Sequence, residues 1–355
     1  MSVTIYDVAR KAGVGIATVS RAFNDSSLIR EETKEKILKI ADEMHYQPHG
    51  VARGLARQQT HTIATVVPFF FNYLFLNLLK TVQYTLLKNQ YDLFLYSIEK
   101  WENQAHIFDR VLNERKSDGV MLFSMTIDDK YAERFINSNI PVIIVDNYHP
   151  LLDSISISNK KGAREAVQHL ISLGHEKIAI INGSLSSYPA RIRLEGYKEA
   201  LTESNLHIDP RYMINANPGM SEDGFNEIVG YRALKQLASL GKERPTAVFI
   251  ASDIQALGAL RAAKEEQLNV PNDMAMIGFD DIDFAQYVGL STMRQPVHTM
   301  AELAVNRLLR IIEKKNRDKF QVELSAELIV RDTCGGKKTE KTDIRDANPS
   351  NAIFL

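Results

Sequence analysis

Asp146, Ser252, Asp253 and Asp280 each follow directly on a short apolar run, and Arg193 opens the amphipathic stretch Ile192–Ser204 that comes after another. Where apolar runs form parallel strands, ligands bind beyond the strands' carboxyl ends. A carboxylate and a guanidinium converging there suit a hydroxyl-rich ligand, since each makes paired hydrogen bonds to adjacent hydroxyls. The same pair could instead bridge one another across a cleft. Trp101 follows the strand-like run Leu93–Ser97 as a further candidate. Phe69 and Phe71 follow Ile63–Val67 and could stack on a ligand or pack beneath their own loop. Nothing advertises catalysis: G-x-x-x-x-G-K-[ST], H-E-x-x-H, G-x-S-x-G and paired Cys/His clusters are all missing. The single cysteine, Cys334, leaves no internal disulfide and no Cys-based zinc site, and reads as an incidental exposed thiol. No enzyme activity, cofactor or metal is expected.

The elements that must position these residues follow from the hydrophobic pattern. From Thr62 onward apolar runs alternate with amphipathic stretches. The strands are Ile63–Val67, Leu93–Ser97, Gly119–Phe123, Val142–Asp146, Ile155–Ile157, Ile178–Asn182, Ala247–Ala251 and Met274–Phe279. Helices between them include Leu76–Lys88, Arg164–Leu173, Ile192–Ser204 and Ile254–Glu266. Continuous apolar strands alternating with helices imply α/β architecture with parallel sheets covered on both faces. Eight or so strands suggest two doubly wound lobes.

The first sixty residues read instead as short helices. Thr4 caps a helix with Asp7 in its first turn and Ile5, Val8, Ala9 and Ala12 on one face, until Gly13 stops it. Gly13-Val14-Gly15 is a tight turn, and Ile16–Phe23 a second helix with Val19 and Ala22 or Phe23 turned inward. A third, about Glu31 to Met44, buries Ile37, Leu38, Ala41 and Met44. Helix, glycine turn and short helix make the spacing of a helix-turn-helix. Gly13-x-Gly15-x-x-Thr18 is not a dinucleotide fingerprint, because the third glycine is absent and no strand precedes it. Pro48 then starts Val51–Arg57, too short for a stable helix in isolation.

Composition sets bounds. With 355 residues, 45% hydrophobic and 25% charged, the chain is long enough for several cores. No run approaches a membrane span, and Asp7 and Arg10 stand where a secretion signal would be apolar, so a cytoplasmic protein is expected. Net charge is -1 overall, but residues 1–60 hold nine Lys/Arg against seven Asp/Glu. That asymmetry is compatible with a nucleic-acid-binding head using a few placed cations.

The wording of the motifs is more specific. Thr4-Ile5-Tyr6-Asp7-Val8-Ala9-Arg10-Lys11-Ala12-Gly13-Val14, Ala17-Thr18-Val19-Ser20-Arg21, Tyr46-Gln47-Pro48 and Val51-Ala52-Arg53-Gly54-Leu55-Ala56 resemble the lac repressor (LacI/GalR) family of bacterial regulators. The recognition helix looks most like the catabolite control protein branch. Further on, Arg191–Tyr197, Pro245–Phe249, Ser252–Ala259, Val270–Asp273 and Ile277–Asp281 carry the resemblance over nearly the whole chain.

The resemblance implies a repressor that binds a palindromic double-stranded operator as a homodimer and is controlled allosterically by a small effector, a sugar or sugar derivative. The catabolite branch also uses a phosphoprotein corepressor. Ile16, Ala17 and Arg21 would face base edges in the major groove, Arg21 being able to grip guanine with both arms. Thr18, Ser20 and Asn24 would hold phosphates. Val51, Ala52 and Leu55 would enter the minor groove as a hinge helix, Leu55 wedging a base step. Arg193 and Asp280 would bind effector, with Ser252, Asp253, Asp146, Trp101, Phe69 and Phe71 around them. Gly15 departs from the family's usual serine N-cap, the Pro68–Tyr73 loop from its usual polar loop, and the connection 217–229 is longer than usual.

The expected layout is a helix-turn-helix domain over 1–47, a hinge helix and linker over 48–60, and a two-lobed periplasmic-binding-protein-like core over 61–332. Its N-lobe would take about 61–160 and 293–325, and its C-lobe about 161–292 and 326–332. Residues 333–355 read as a disordered tail, polar and without periodicity.

Overall fold

A computed structural model describes residues 3–23, 28–46, 59–68, 73–98, 101–217, 223–313 and 318–337. The chain divides into two compact units, Met1–Thr62 with Arg115–Asp118, and the remainder. Asp118 belongs with the first because its carboxylate accepts the N–H and hydroxyl of Thr60, at 2.6 and 2.8 Å, and the N–H of His61 at 2.8 Å.

The first unit is helical. α1 (Ile5–Ala12) begins where the Thr4 N–H and hydroxyl donate to Asp7 Oδ2, at 3.0 and 2.6 Å, and ends at Gly13, whose φ of 71° is left-handed. α2 (Ile16–Phe23) and α3 (Glu31–Glu43) follow. Val8, Ala9, Ala12, Val19, Ala22, Ile37 and Ala41 make one small core. Leu38, expected inside, is exposed, and Ile40 packs against the core in its place.

The second unit has two six-stranded sheets. In chain order its elements are β1 (Thr62–Pro68), α4 (Tyr73–Lys88), β2 (Asp92–Ile98), α5 (Gln104–Glu114), β3 (Gly119–Phe123), α6 (Asp129–Asn137), β4 (Val142–Val145), β5 (Asp153–Ile157), α7 (Asn159–Ser172), β6 (Ile178–Asn182), α8 (Tyr188–Glu203), β7 (Met213–Asn215), α9 (Glu227–Ala238), β8 (Ala247–Ile250), α10 (Asp253–Glu265), β9 (Ala275–Asp280), α11 (Asp283–Tyr287), β10 (Ser291–Arg294), α12 (Val297–Ile312), β11 (Gln321–Leu324) and β12 (Glu327–Ile329). The first sheet runs β11-β5-β4-β3-β1-β2, the second β12-β10-β9-β8-β6-β7. β12 is antiparallel to β10, and the other described pairings within the second sheet are parallel. The chain therefore passes between lobes three times, after β5, after β10 and between β11 and β12.

The sequence foresaw eight of the twelve strands described. Those it missed hide their pattern. β7, β11 and β12 are three or four residues long and mostly half-exposed, while β10 opens with Ser291 and Thr292, polar residues that are fully buried. Residues 333–337 do not begin a disordered tail. Thr333 Oγ1 donates to Met276 O at 2.8 Å and accepts the Ser291 N–H at 2.9 Å. Cys334, expected to be exposed, is buried with Sγ 3.7 Å from His169 Nε2.

α9 and α10 cross with glycines facing backbone. A Cβ at Gly258 would lie 1.9 Å from Glu227 O, and one at Gly230 1.9 Å from Gln255 O. A helix carbonyl cannot yield as a flexible side chain would. Gly258→Ala is therefore expected to cost the core at least ~1–3 kcal/mol, read as a lowered urea midpoint; an unchanged midpoint would contradict this packing.

Candidate functional site

Two places gather the candidate residues. In the helical unit, α2 buries Val19 and Ala22 and leaves Ile16, Ala17 and Arg21 exposed, with Thr18 and Ser20 half-buried. Its N-terminus is set by Gly15, whose carbonyl accepts the N–H groups of Thr18 and Val19 at 2.9 and 3.2 Å. Arg21 forms no ion pair among the described residues, whereas Lys11 on α1 is tied to Glu43 at 3.5 Å. A guanidinium with no ion-pair partner among the described residues, on an exposed helix face, is available to an anion or a base edge. Tyr6, which the sequence reading passed over, is 63% exposed on α1. Asn24, Val51, Ala52 and Leu55 lie outside the described residues.

The second place is the cleft between the sheets. Arg193, on α8 and 3% exposed, donates from Nε to Asn159 Oδ1 at 2.8 Å and from Nη1 to the carbonyl of Ala251. The same Nη1 lies 3.8 Å from Asp280 Oδ1, and the guanidinium carbon stacks 3.7 Å from the centre of the Phe279 ring. Asp280 Oδ1 also accepts Gln295 Nε2 at 2.7 Å. From the other lobe, Ser124 donates its hydroxyl to Asp146 Oδ2, while Asp146 Oδ1 is buried with no hydrogen-bond partner. Ser252 caps α10, its Oγ accepting the Gln255 N–H. Arg193, Asp280, Ser124, Asp146 and Ser252, with Pro68, Leu74, Phe75, Pro189, Asp223 and Phe225, line one cavity, while Asn159 and Gln295 support it from outside.

Asp253 is not among them. Its Oδ1 accepts Thr292 Oγ1 at 2.6 Å and its Oδ2 the Ile282 N–H at 3.0 Å, so it braces the ends of β9 and β10 from behind. Trp101 opens a single 3-10 turn, Trp101–Asn103, but its side chain is outside the described residues, as are Phe69 and Phe71. Ser124, Asn159, Asp223, Phe225 and Gln295 were missed. Ser124 could have been found, since it directly follows β3. Asp223 and Phe225 sit on the long connection that carried no motif, and there the Asp223 carbonyl accepts the Ser184 N–H at 2.7 Å while Gly224 O accepts Gln255 Nε2 at 2.9 Å.

The cleft cavity is about 40 Å³, against roughly 300–1,000 Å³ for pockets that enclose a drug-sized ligand. A larger space, about 290 Å³, lies between β7 and α9, but it is lined by Ile214, Asn215, Asn226, Ile228 and the exposed Arg232 and gathers no buried charge. The chemistry is in the smaller one.

Burial governs the charges there. It raises Asp146 and Asp223 above the usual carboxylate range, Asp253 well above it, and Asp280 to about 7 despite the pull of Arg193. The fold thus retains protons that the unfolded chain releases near 3.8. A carboxyl raised in this way makes the fold less stable as pH rises from its unfolded value to its folded one, with no further loss above. Without ligand, the core should melt at a higher temperature at pH 5.5 than at pH 7.5, and Asp280→Asn should shrink the difference; a flat wild-type profile would count against these burial effects.

Comparison with known proteins places both regions. Residues 4–49 match the model for bacterial regulatory proteins of the lacI family, and residues 167–334 that for a periplasmic binding protein-like domain. The chain is 31% identical to catabolite control protein A of Priestia megaterium over 330 residues, 91% of this chain and 97% of that one. It is 34% identical over 340 residues to a probable HTH-type transcriptional repressor, ExuR, of Bacillus subtilis strain 168, covering 93% and 98%. Among solved structures it is similar to a lac repressor dimer bound to operator and the anti-inducer ONPF, with 28% identity, TM-score 0.81 and coverage of 94% and 99%. A transcriptional regulator CelR–cellobiose complex matches at 26% identity, TM-score 0.69 and coverage of 93% and 99%.

Proposed function

The chain belongs to the lacI family of bacterial regulatory proteins, and we propose that it is a cytoplasmic, non-enzymatic repressor that binds a palindromic operator as a homodimer and is switched by a sugar. The observation that carries this reading is the pairing, in one chain, of a helix-turn-helix whose second helix leaves Ile16, Ala17 and Arg21 outward with a two-lobed cleft built around a buried Arg193. Ile16, Ala17 and Arg21 are assigned to base edges, Thr18, Ser20 and Asn24 to phosphates, and Val51, Ala52 and Leu55 to the minor groove. Arg193, Asp280, Asp146 and Ser252 are assigned to the effector. The relative solved with cellobiose and the lac repressor solved with operator support that division. A phosphoprotein corepressor is proposed on resemblance to the catabolite branch alone.

A dimer has a surface to use. α4 turns Tyr73, Leu76, Tyr84 and Leu87 outward, each at least 40% exposed, and the neighbouring edge strand β2 adds Phe94. A stripe of large apolar side chains of this kind marks an interaction face. Effector closing or parting the lobes would change how two such subunits present their DNA-binding units, a coupling of typically about 1–3 kcal/mol.

Three outcomes test the reading. Arg21→Ala should weaken binding to a palindromic site selected from random duplexes about tenfold to a hundredfold, with little effect on non-specific duplex at the same salt; equal loss on both would remove the base-reading role. Leu76→Glu with Leu87→Glu should give a monomer by sedimentation, and a persistent dimer would place the interface elsewhere. Arg193→Ala should abolish the thermal stabilisation given by whichever sugar stabilises the wild type, and retention of that shift would move the effector site.

A further inference from the structure

The cleft is unbalanced in charge. Among the described residues that line it, Asp146, Asp223 and Asp280 face a single guanidinium, Arg193. That guanidinium is already engaged, Nε with Asn159 and Nη1 with the Ala251 carbonyl. The other charged side chains nearby, Asp253, Asp281, Arg294 and Arg331, do not line the cavity. Asp253 is held from behind by Thr292 and the Ile282 N–H, and Asp281 takes both Arg294, at 2.6 Å, and Arg331, at 2.7 Å. Those two arginines are thus spent outside the cavity.

One acceptor is unspent. Asp146, 4% exposed, uses Oδ2 for the Ser124 hydroxyl, and its Oδ1 has no partner. A buried acceptor in a ligand cavity without a donor calls for one on the ligand, because leaving it unmade costs the group its full desolvation. Asp223, half-buried, lines the same cavity from the opposite lobe. Its Oδ1 accepts the Phe225 N–H at 2.9 Å, and the turn that carries it is fixed to Ser184 and Gln255.

We propose that this cleft selects against anions: its effector is an uncharged or amine-bearing sugar whose hydroxyl or ammonium groups donate to Asp146, Asp223 and Asp280, and phosphorylated or carboxylated sugars are turned away. The proposal rests on the reading of the cleft as a sugar site and adds the class of sugar, with Asp223 as a specificity residue. Ligand hydroxyls satisfy carboxylates from both lobes at once, which is what draws the lobes together. A phosphate or uronate would instead bring a negative charge into a water-poor space whose acids oppose it when ionised and leave it unneutralised when protonated.

The test uses the full chain and matched sets of probes: glucose, galactose and mannose, each as the free sugar and in its 2-amino, 6-phosphate and 6-carboxylate forms, ranked by thermal shift and titrated by calorimetry. At least one free or amino sugar should bind, with its phosphate and carboxylate more than about tenfold weaker. Asp223→Asn keeps an oxygen for the Phe225 N–H and removes the charge, so it should narrow that gap several-fold and weaken an amino sugar more than the free one. An anionic form that binds as well as its parent, or an unchanged gap in Asp223→Asn with the free sugar still bound, overturns this inference and leaves the sugar site standing. Binding of no member of any set overturns the sugar reading itself.

Discussion

A guanidinium that is 3% exposed is the constraint around which the core is arranged. An ion in that position is tolerated only if its donors are met and its charge is answered. Arg193 is met by Asn159 from α7, by the Ala251 carbonyl at the end of β8, by Asp280 at the end of β9 and by the face of Phe279 on that same strand. Three elements must therefore converge on α8. The strand order of the second sheet achieves this by setting β9 and β6 on either side of β8. Small residues let the helices come close enough. A Cβ at Gly196, one turn from Arg193, would lie 2.2 Å from Lys160 O on α7, beside Asn159.

The strand ends on the cleft depart from ordinary backbone geometry. Ser124, Asp146, Asp280 and Asp281 have φ of 48°, 60°, 127° and 58°, values that non-glycine residues rarely adopt. Ser124 and Asp146 lie just beyond β3 and β4, Asp280 ends β9 and Asp281 follows it, and the unusual φ marks the strand end. The cost is borne by the bonds that hold the turns, such as the Asp146 N–H to Ile155 O at 2.7 Å and Asp253 to the Ile282 N–H at 3.0 Å. Asp253 is instructive because a residue of the right type, at the right end of the right kind of strand, is structural. It faces Gly278 so closely that a Cβ there would meet its carboxylate at 2.2 Å. Sequence position identifies the rim of the cleft, and the rotamer decides which side of the rim a side chain serves.

This explains what was legible in the sequence. The eight longest apolar runs, the helix-turn-helix and the candidates Arg193, Asp280, Asp146 and Ser252 follow from periodicity, from the rule that ligands meet strand ends, and from motif wording. Pairings between distant segments do not. Gln295 reaches Asp280 across fifteen residues and Asn159 reaches Arg193 across thirty-four, and neither carries a local signature. Asp223 and Phe225 were hidden for another reason, since an irregular connection has no period to read and only the fold shows that it doubles back onto Ser184. Cys334 and Thr333 misled by composition. They belong to a polar stretch, yet Thr333 bonds to both β9 and β10 and so draws its neighbour inside.

The partners of the buried pair also lie where the chain changes lobes. Asn159 begins α7 immediately after the first crossing, and Gln295 follows β10 at the second, with its own N–H donating to Asp280 O at 3.3 Å. The segments at two of the three crossings are thus bonded to Arg193 and Asp280 directly. A change at the Asp280 carboxyl reaches Gln295 without any intervening structure. In a two-lobed protein the crossings set the angle between lobes, and small shifts there are amplified because packed lobes adopt discrete arrangements. The Asp280 carboxyl is therefore tied, through Gln295, to the second crossing between lobes.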